Sequence, residues 1–185
     1  MTPSIFFTSD THFDSERTWV YSRRPFASVA DMNQHMLKAI NKLPKNSVLW
    51  HLGDWGKFEF VEAIRSDIQV QLVLGNWDED ACRSTGLGFE AWRDKLLGMG
   101  FAAVYEHPLM LPISNDESYW LCHKPSERNP GYFNLFGHIH RCMLAKTNGL
   151  NVGVDQHFYA PISLDAVRFW RNAIENHYDE EVWME

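Results

Sequence analysis

The stretch Ile5-Phe6-Phe7-Thr8-Ser9-Asp10-Thr11-His12 joins a short apolar segment directly to an aspartate and a histidine. An apolar run of this length, bounded by polar residues, is typical of a buried strand. The same arrangement recurs at four further segments, which end in Gly53-Asp54, Gly75-Asn76-Trp77-Asp78, His123 and Gly137-His138-Ile139-His140. Because functional side chains of α/β proteins gather at the carboxyl ends of strands, we expect these motifs to form one site.

Helical patterns alternate with these apolar segments. A helix is predicted over residues 28–43, where Ser28 and Asp31 suggest a capping box and Pro44 ends the helix. The remaining pattern predicts strands at residues 5–8, 47–52, 69–74, 119–122, 132–136 and 150–154, and helices at residues 58–66, 89–97 and 163–177. Gly98 is expected to end the helix over 89–97. The alternation predicts an α/β fold with helices outside a sheet core, in a single domain over residues 1–185.

The composition is that of a globular protein with an acidic balance. Hydrophobic residues make up 45% and aromatic residues 14% of the chain, which excludes disorder as the main state. A net charge of −7 argues against binding of duplex nucleic acid. With no apolar run of ~18 residues and no secretory signal pattern, we expect a cytoplasmic protein without a membrane partner. The acidic segment Asp179-Glu180-Glu181 is expected to be solvated.

Two of the motifs place potential metal ligands two residues apart. In an extended chain, Asp10 and His12 would point to one face. The same would hold for His138 and His140, with Ile139 turned into the core. Any one of these histidines, taken alone, is better explained as a core or surface residue. The five motifs taken together favour a metal site, and the absence of a C-x-x-C motif excludes a thiolate zinc site.

The order Asp-x-His, Gly-Asp, Gly-Asn-x-Asp, His, Gly-His-x-His resembles the calcineurin-like metallophosphoesterase superfamily. The similarity runs from about Ile5 to Leu164. Within the superfamily, the chain resembles a small subgroup of bacterial and phage-encoded phosphohydrolases through residues 9–13, 24–26, 51–54 and 151–155. The resemblance implies a four-layer αββα sandwich, in which two mixed β-sheets lie between helices.

The resemblance also implies two bound metal ions that share one carboxylate. One ion would be held by Asp10, His12, Asp54 and His140, and the other by Asp54, Asn76, His123 and His138. Carboxylate, imidazole and amide ligands suit Mn, Fe, Co, Ni or Zn, of which we expect manganese. Two such ions about 4 Å apart would supply a bridging hydroxide for in-line attack on a phosphate ester. Two dications outweigh the two aspartates and the hydroxide, so this site would attract an anion in an acidic protein.

Trp77 departs from the family pattern, which usually has histidine at this position of Gly-Asn-His-Asp. That histidine contacts the phosphate and helps the leaving oxygen to depart, whereas an indole N–H donates only a hydrogen bond. Three interpretations stay open: another residue supplies the proton, the leaving group needs none, or the enzyme is weak or inactive. His51, Lys124 and His157 are the candidate proton donors. Trp77 itself is predicted either to stack on an aromatic group at the cleft or to pack under the loop.

The leading hypothesis is a dinuclear metal-dependent phosphoesterase, a hydrolase that acts on a phosphomonoester or phosphodiester. Its substrate would be a phosphorylated small molecule or a nucleotide. The predicted catalytic residues are Asp54, Asn76, Trp77 and Asp78, and the predicted substrate-binding residues are Asn76, Trp77 and Arg24. The alternative is a catalytically weak or inactive metal-binding scaffold on the same fold. Trp77 favours the scaffold, and the complete set of seven ligands argues against it.

Overall fold

Residues 3–177 are described by a computed structural model of the chain. The strands, in chain order, are β1 (Ile5–Thr8), β2 (Val48–His51), β3 (Gln69–Val73), β4 (Ala103–Tyr105), β5 (Leu109–Pro112), β6 (Ser118–Leu121), β7 (Phe133–Phe136), β8 (Ala145–Lys146), β9 (Gly149–Asn151) and β10 (Ile162–Ser163). The α-helices are α1 (Glu16–Tyr21), α2 (Val29–Asn41), α3 (Asn76–Thr85), α4 (Phe89–Met99) and α5 (Leu164–His177). Short 3₁₀ helices cover Phe58–Ala63, Pro125–Glu127 and Val154–Gln156.

The strands form two mixed sheets of five strands each. The first sheet has the order β10-β1-β2-β3-β4, in which β1 to β4 are parallel and β10 is antiparallel to β1. The second sheet has the order β5-β6-β7-β9-β8, with β6, β7 and β9 parallel. A parallel bridge between Ser9 and Gly153 links the chain beyond β1 to the chain beyond β9. The carboxyl ends of both sets of parallel strands therefore meet.

The protein has two hydrophobic cores, because successive side chains of a strand point to opposite faces of its sheet. Leu49 of β2 packs in one cluster with Met36 of α2 and Leu96 of α4, so this core lies between the first sheet and its helices. Phe7 of β1 packs in the other cluster with Leu135 of β7, so that core lies between the two sheets. Helix α5 packs along β1, β9 and β10. This layering holds the strand ends of both sheets in fixed positions.

The predicted fold, an α/β sandwich of two mixed sheets flanked by helices, is confirmed by this architecture. All six predicted strands are present. Ser28 begins α2, and its Oγ accepts a hydrogen bond from the backbone N–H of Asp31 at 3.1 Å. The prediction that Gly98 ends the helix over residues 89–97 is wrong, because Gly98 lies inside α4. The helix ends instead at Gly100, whose φ of 124° is readily adopted by glycine.

Several elements were not predicted from the sequence. Helix α3 begins inside the motif Gly75-Asn76-Trp77-Asp78, and only three of its ten residues, Trp77, Ala81 and Cys82, are apolar. Strands β4 and β5 and the six-residue α1 are too short for a clear pattern. No helix among residues 3–177 is long and apolar enough to cross a membrane. The acidic segment Asp179-Glu180-Glu181 lies outside the described residues.

Candidate metal centre

Five of the seven predicted ligands have backbone conformations in the left-handed region. Their φ angles are 57° at Asp10, 47° at His12, 57° at Asp54, 71° at His138 and 48° at His140. The expectation of an extended chain at the two paired motifs is therefore wrong, and Ile139 is only partly buried. Each left-handed residue turns the chain sharply soon after a strand. The turn directs the side chain towards the place where the carboxyl ends of the two sheets' strands meet. Such conformations cost energy and concentrate at functional sites.

The first group of ligand atoms comes from the loops after β1 and β7. One atom each of Asp10, His12 and His140 lies within 4.8 Å of the other two. The imidazole rings of His12 and His140 are stacked, with centroids 5.3 Å apart. Nδ1 of His140 lies 2.7 Å from Oδ2 of Asp155, so its Nε2 is the nitrogen left for a metal.

The second group comes from the loops after β2, β3, β6 and β7. One atom each of Asp54, His123 and His138 lies within 4.8 Å of the other two. Nδ1 of His123 donates to the carbonyl of Leu52 at 2.7 Å, which turns Nε2 towards the group. That Nε2 lies 3.3 Å from Nδ1 of His138 and 3.1 Å from Oδ1 of Asn76. The amide oxygen of Asn76 therefore lies among the ligand atoms of this group.

Asp54 lies between the two groups. Its Oδ2 is 3.4 Å from Nε2 of His12 and 3.4 Å from Nε2 of His123. Its Oδ1 accepts the backbone N–H of Trp77 at 3.0 Å, at the beginning of α3. Although burial opposes ionisation, the hydrogen bond from His123 and the nearby imidazoles lower the pKa of Asp54 below its usual value. The carboxylate is thus ionised and placed where one residue can contact two ions.

The chemistry of these donors fits divalent cations. Nε2 of His12 is buried and has no hydrogen-bond partner, and burial lowers the pKa of this imidazole to about 3. A neutral imidazole with an unused lone pair is the form that binds a metal. Without a cation or proton between them, Nε2 of His123 and Nδ1 of His138 would face each other unfavourably. Carboxylate, imidazole and amide donors with no thiolate suit first-row divalent metals.

A family model described as the calcineurin-like phosphoesterase superfamily domain matches residues 4–155. The chain belongs to that superfamily. A relative in Methanocaldococcus jannaschii, described as uncharacterized, is 25% identical over 179 residues, which covers 88% of this chain and 88% of the relative. The crystal structure of a protein of unknown function from Aquifex aeolicus has the same fold, with a TM-score of 0.65 and 21% identity over 91% of this chain and 100% of that chain.

Two glycines let the backbone of this phosphoesterase-superfamily site pack closely. A Cβ at Gly75 would collide with Oδ1 of Asp54, and a Cβ at Gly137 would collide with Ser9 and with Oδ2 of Asp10. The glycine of Gly-His-x-His therefore lies directly against the Asp10 carboxylate. Any larger residue at either position would displace a carboxylate from its group.

Asp78 holds the backbone around Asp54 rather than pointing to the ligand atoms. Its carboxylate accepts the backbone N–H groups of Asp54 at 2.7 Å, Trp55 at 3.0 Å and Gly75 at 2.9 Å. Burial and the charge of Asp54 raise the pKa of Asp78 to about 7, and the hydrogen bonds from the backbone N–H groups of Gly75 and Trp55 act in the opposite direction. This geometry corrects the prediction that Asp78 is catalytic. It is a positioning residue.

Arg24 is buried rather than exposed to substrate, which corrects its predicted substrate-binding role. Its Nε and Nη2 donate to the carboxylate of Asp155 at 3.1 and 2.8 Å. Nη1 donates to the carbonyl of Thr11 at 2.7 Å, and Nη2 also donates to the carbonyl of Asp10 at 2.5 Å. Arg24 therefore fixes the loop after β1 and, through Asp155, the ring of His140. Asp155 was not predicted to be a functional residue. A buried arginine is normally paired with a carboxylate, but only the structure shows that Arg24 is buried.

Trp77 lies at the surface beside the first ligand group. Its side chain is 41% exposed, which corrects the interpretation that it packs under the loop. Its ring meets the ring of His12 edge-on, with centroids 5.7 Å apart. The guanidinium carbon of Arg17 lies 5.3 Å from the centre of the indole. Trp77 is thus placed to contact a group that extends from the metal centre.

The candidate proton donors have other partners. His51 is fully buried, its Nε2 lies 2.9 Å from Oγ1 of Thr11, and burial lowers its pKa to about 3. Nε2 of His157 lies 2.7 Å from the carbonyl of Asn151, and burial lowers the pKa of His157 as well. Lys124 pairs with Glu127 at 3.7 Å. A fully buried histidine with a pKa of about 3 is a poor general acid, which argues against His51, and Nε2 of His157 is already engaged with the carbonyl of Asn151.

Proposed function

We propose that this superfamily member is a phosphoesterase that uses two divalent metal ions. The position of Asp54 carries the proposal, because its Oδ2 lies 3.4 Å from one histidine of each ligand group. One carboxylate shared between two groups of ligand atoms is the arrangement that a pair of ions requires. A single structural ion would not need both sets.

Each of the seven side chains would bind one ion, except Asp54, which would bind both. Asp10, His12 and His140 would hold the first ion, His123, His138 and Asn76 the second, and Asp54 both. When bound, the two ions would lower the pKa of a water and neutralise the oxygens of a phosphoryl group. Asp155 fixes the ring of His140, and Leu52 fixes the ring of His123. These contacts preorganise the donors before any metal arrives.

A phosphate ester is the substrate that this centre would take. The protein carries a net charge of −7, so an anionic substrate needs a local source of positive charge, which two dications would supply. We propose a phosphomonoester or phosphodiester of a small molecule or nucleotide, manganese as the metal and the cytoplasm as the compartment. Trp77 is 41% exposed and its ring contacts the ring of His12, which supports a role for it in binding the substrate.

A metal-binding scaffold without catalysis is the second candidate. Trp77 favours it, because the residue that occupies this position donates no titratable proton. Within residues 3–177, no feature other than Trp77 supports the scaffold. The intact positioning contacts of Asp78 and Asp155 favour the enzyme, because a scaffold has less need for precise ligand geometry.

Hydrolysis assays with two aryl esters decide between these candidates. Metal-free protein is supplied with Mn²⁺ and either p-nitrophenyl phosphate or bis(p-nitrophenyl) phosphate. We expect metal-dependent release of nitrophenol that Asp54→Ala abolishes. Asp165→Ala is the matched control, because Asp165 is exposed on α5 and pairs only with Arg168 among the described residues. No hydrolysis of either ester by metal-loaded protein would refute the proposed phosphoesterase activity and favour the scaffold.

A further inference from the structure

Arg17 lies at the rim of the candidate metal centre. Its guanidinium carbon is 5.3 Å from the centre of the Trp77 ring and 5.8 Å from the centre of the Tyr21 ring. The indole of Trp77 in turn contacts the ring of His12. A single side chain therefore separates Arg17 from a member of the first ligand group.

Arg17 also has unused hydrogen-bonding capacity. Its side chain is exposed, and it forms no ion pair within residues 3–177, unlike Arg83, Arg93 and Arg168. The guanidinium carbon lies over two aromatic rings, and because no carboxylate pairs with Arg17 among residues 3–177, its N–H groups are available to a ligand. These N–H groups form a planar fork that matches two oxygens of a phosphate.

We propose that Arg17 and Trp77 form a subsite for an anionic leaving group, and that among nucleotide substrates the metal centre cleaves a phosphoanhydride bond, whose leaving group is a phosphate, in preference to the ester bond. This proposal rests on the proposed function. Neither residue delivers a proton to a departing alkoxide, because an indole does not titrate and a guanidinium keeps its proton. A phosphate departs as a stable anion and needs no proton. A guanidinium binds that anion through two hydrogen bonds.

The reaction at this subsite is a hydrolysis without any change in oxidation state. The oxygen of a water molecule forms a bond to the phosphorus that lies at the ligand groups. The bond between that phosphorus and the bridging oxygen breaks, and its electron pair stays on the bridging oxygen. The bridging oxygen leaves as part of the second phosphate, which Arg17 binds. The proton lost by the water passes to solvent.

The test compares four proteins on four substrates with Mn²⁺: ADP, AMP, p-nitrophenyl phosphate and acetyl phosphate. ADP and AMP share one nucleoside but differ in the bond available, an anhydride or an alkyl ester, and p-nitrophenyl phosphate has an aryl leaving group. The variants are Arg17→Ala, Arg17→Lys and, as control, Arg83→Ala, which removes the same charge from the last turn of α3. Circular dichroism of each variant checks that it is folded.

We expect wild-type protein to hydrolyse ADP with a higher kcat/KM than AMP. Arg17→Ala should lower kcat/KM for ADP by roughly 10- to 100-fold, the size of a lost charge-assisted hydrogen-bond pair. The same variant should change kcat/KM for p-nitrophenyl phosphate by less than about threefold. Arg17→Lys should give an intermediate loss, because it keeps the charge without the fork. Arg83→Ala should match wild-type protein.

Other outcomes would overturn the proposal. Equal losses for ADP and p-nitrophenyl phosphate in Arg17→Ala would show a general effect on the site rather than a leaving-group subsite. Hydrolysis of p-nitrophenyl phosphate without hydrolysis of ADP would leave the proposed function standing and refute the substrate class. Faster, Arg17-dependent turnover of acetyl phosphate than of ADP would assign the subsite to a carboxylate. No metal-dependent hydrolysis of any substrate would refute both proposals.

Discussion

Trp77 has two separate connections to the candidate metal centre. Its backbone N–H donates to the carboxylate of Asp54, a contact that almost any residue makes at this position of α3. Its side chain contacts the ring of His12 and supports Arg17. Substitution of the side chain should therefore change what the site does with a leaving group while the shared carboxylate stays in place.

Trp77→His should restore a proton donor beside the leaving oxygen. We expect kcat/KM for an alkyl phosphate to rise more than kcat/KM for an aryl phosphate, because only the poor leaving group needs protonation. General-acid catalysis sets an upper limit of about 10²–10⁴-fold on this gain. Trp77→Phe serves as the control, since it keeps an aromatic ring without a titratable group. An unchanged ratio of the two rates in Trp77→His would show that Trp77 does not occupy the position of the acid.

Asp155→Asn should weaken one metal site and spare the other. Asp155 accepts from Nδ1 of His140 at 2.7 Å and contacts no member of the second ligand group among the described residues. Loss of such a partner typically lowers metal affinity by about 10–100-fold. Calorimetric titration with Mn²⁺ should show the weaker binding at one of two sites. Equal weakening of both sites, or of neither, would contradict this assignment.

At the scale of elements, the beginning of α3 connects the first sheet to the ligands. Asp78 lies in its first turn and accepts backbone N–H groups from the loop after β2 and from Gly75. The helix therefore starts where the loop must be fixed. Its first backbone N–H groups also favour the carboxylate of Asp54 through the helix dipole.

Asp78→Ala should destabilise the metal-free protein strongly. The substitution leaves three N–H groups without their acceptor, and each buried, unpaired group costs about 1–3 kcal/mol. We expect a fall of at least about 3 kcal/mol in the free energy of unfolding, measured by urea denaturation. Glu79→Ala, one residue along the same helix, should change it by less than about 0.5 kcal/mol, because Glu79 makes only a surface ion pair with Arg83. Similar effects of both variants would refute the role of Asp78.

The strands and the gathering of the candidate ligands at the strand ends could be predicted from the sequence, whereas the backbone geometry at these residues could not. Apolar runs such as residues 5–8 predict buried strands because burial on both faces leaves a continuous apolar pattern. The left-handed φ angles of Asp10 and His140 have no such signal, since these residue types rarely adopt them without tertiary support. The burial of Arg24 could not be predicted from the sequence either, because its partner Asp155 lies 131 positions away.

At the scale of the whole molecule, the candidate metal centre joins the two sheets. Asp10, His12, Asp54 and Asn76 follow strands of the first sheet, and His123, His138 and His140 follow strands of the second. Metal ions that bind residues of both sheets would stabilise the packing of one sheet on the other. Metal binding and global stability should therefore be linked.

Mn²⁺ should raise the free energy of unfolding of metal-free protein. At a free concentration 100 times the dissociation constant, one site contributes about 2.7 kcal/mol, and a chelator should reverse the gain. Asp54→Ala should show a much smaller gain, since it lacks the shared carboxylate. Thermal unfolding with and without Mn²⁺ measures the stabilisation of wild-type protein and of Asp54→Ala. A gain of equal size in Asp54→Ala would place the stabilising metal elsewhere.

The most direct test of the central claim is an anomalous difference map from a crystal of the protein soaked in Mn²⁺. The account predicts two peaks about 3.5–4 Å apart, with Asp54 in contact with both. Each peak should lie about 2.0–2.4 Å from its ligand atoms, one among Asp10, His12 and His140 and the other among Asn76, His123 and His138. One peak alone, no peak, or two peaks that Asp54 does not bridge would contradict it.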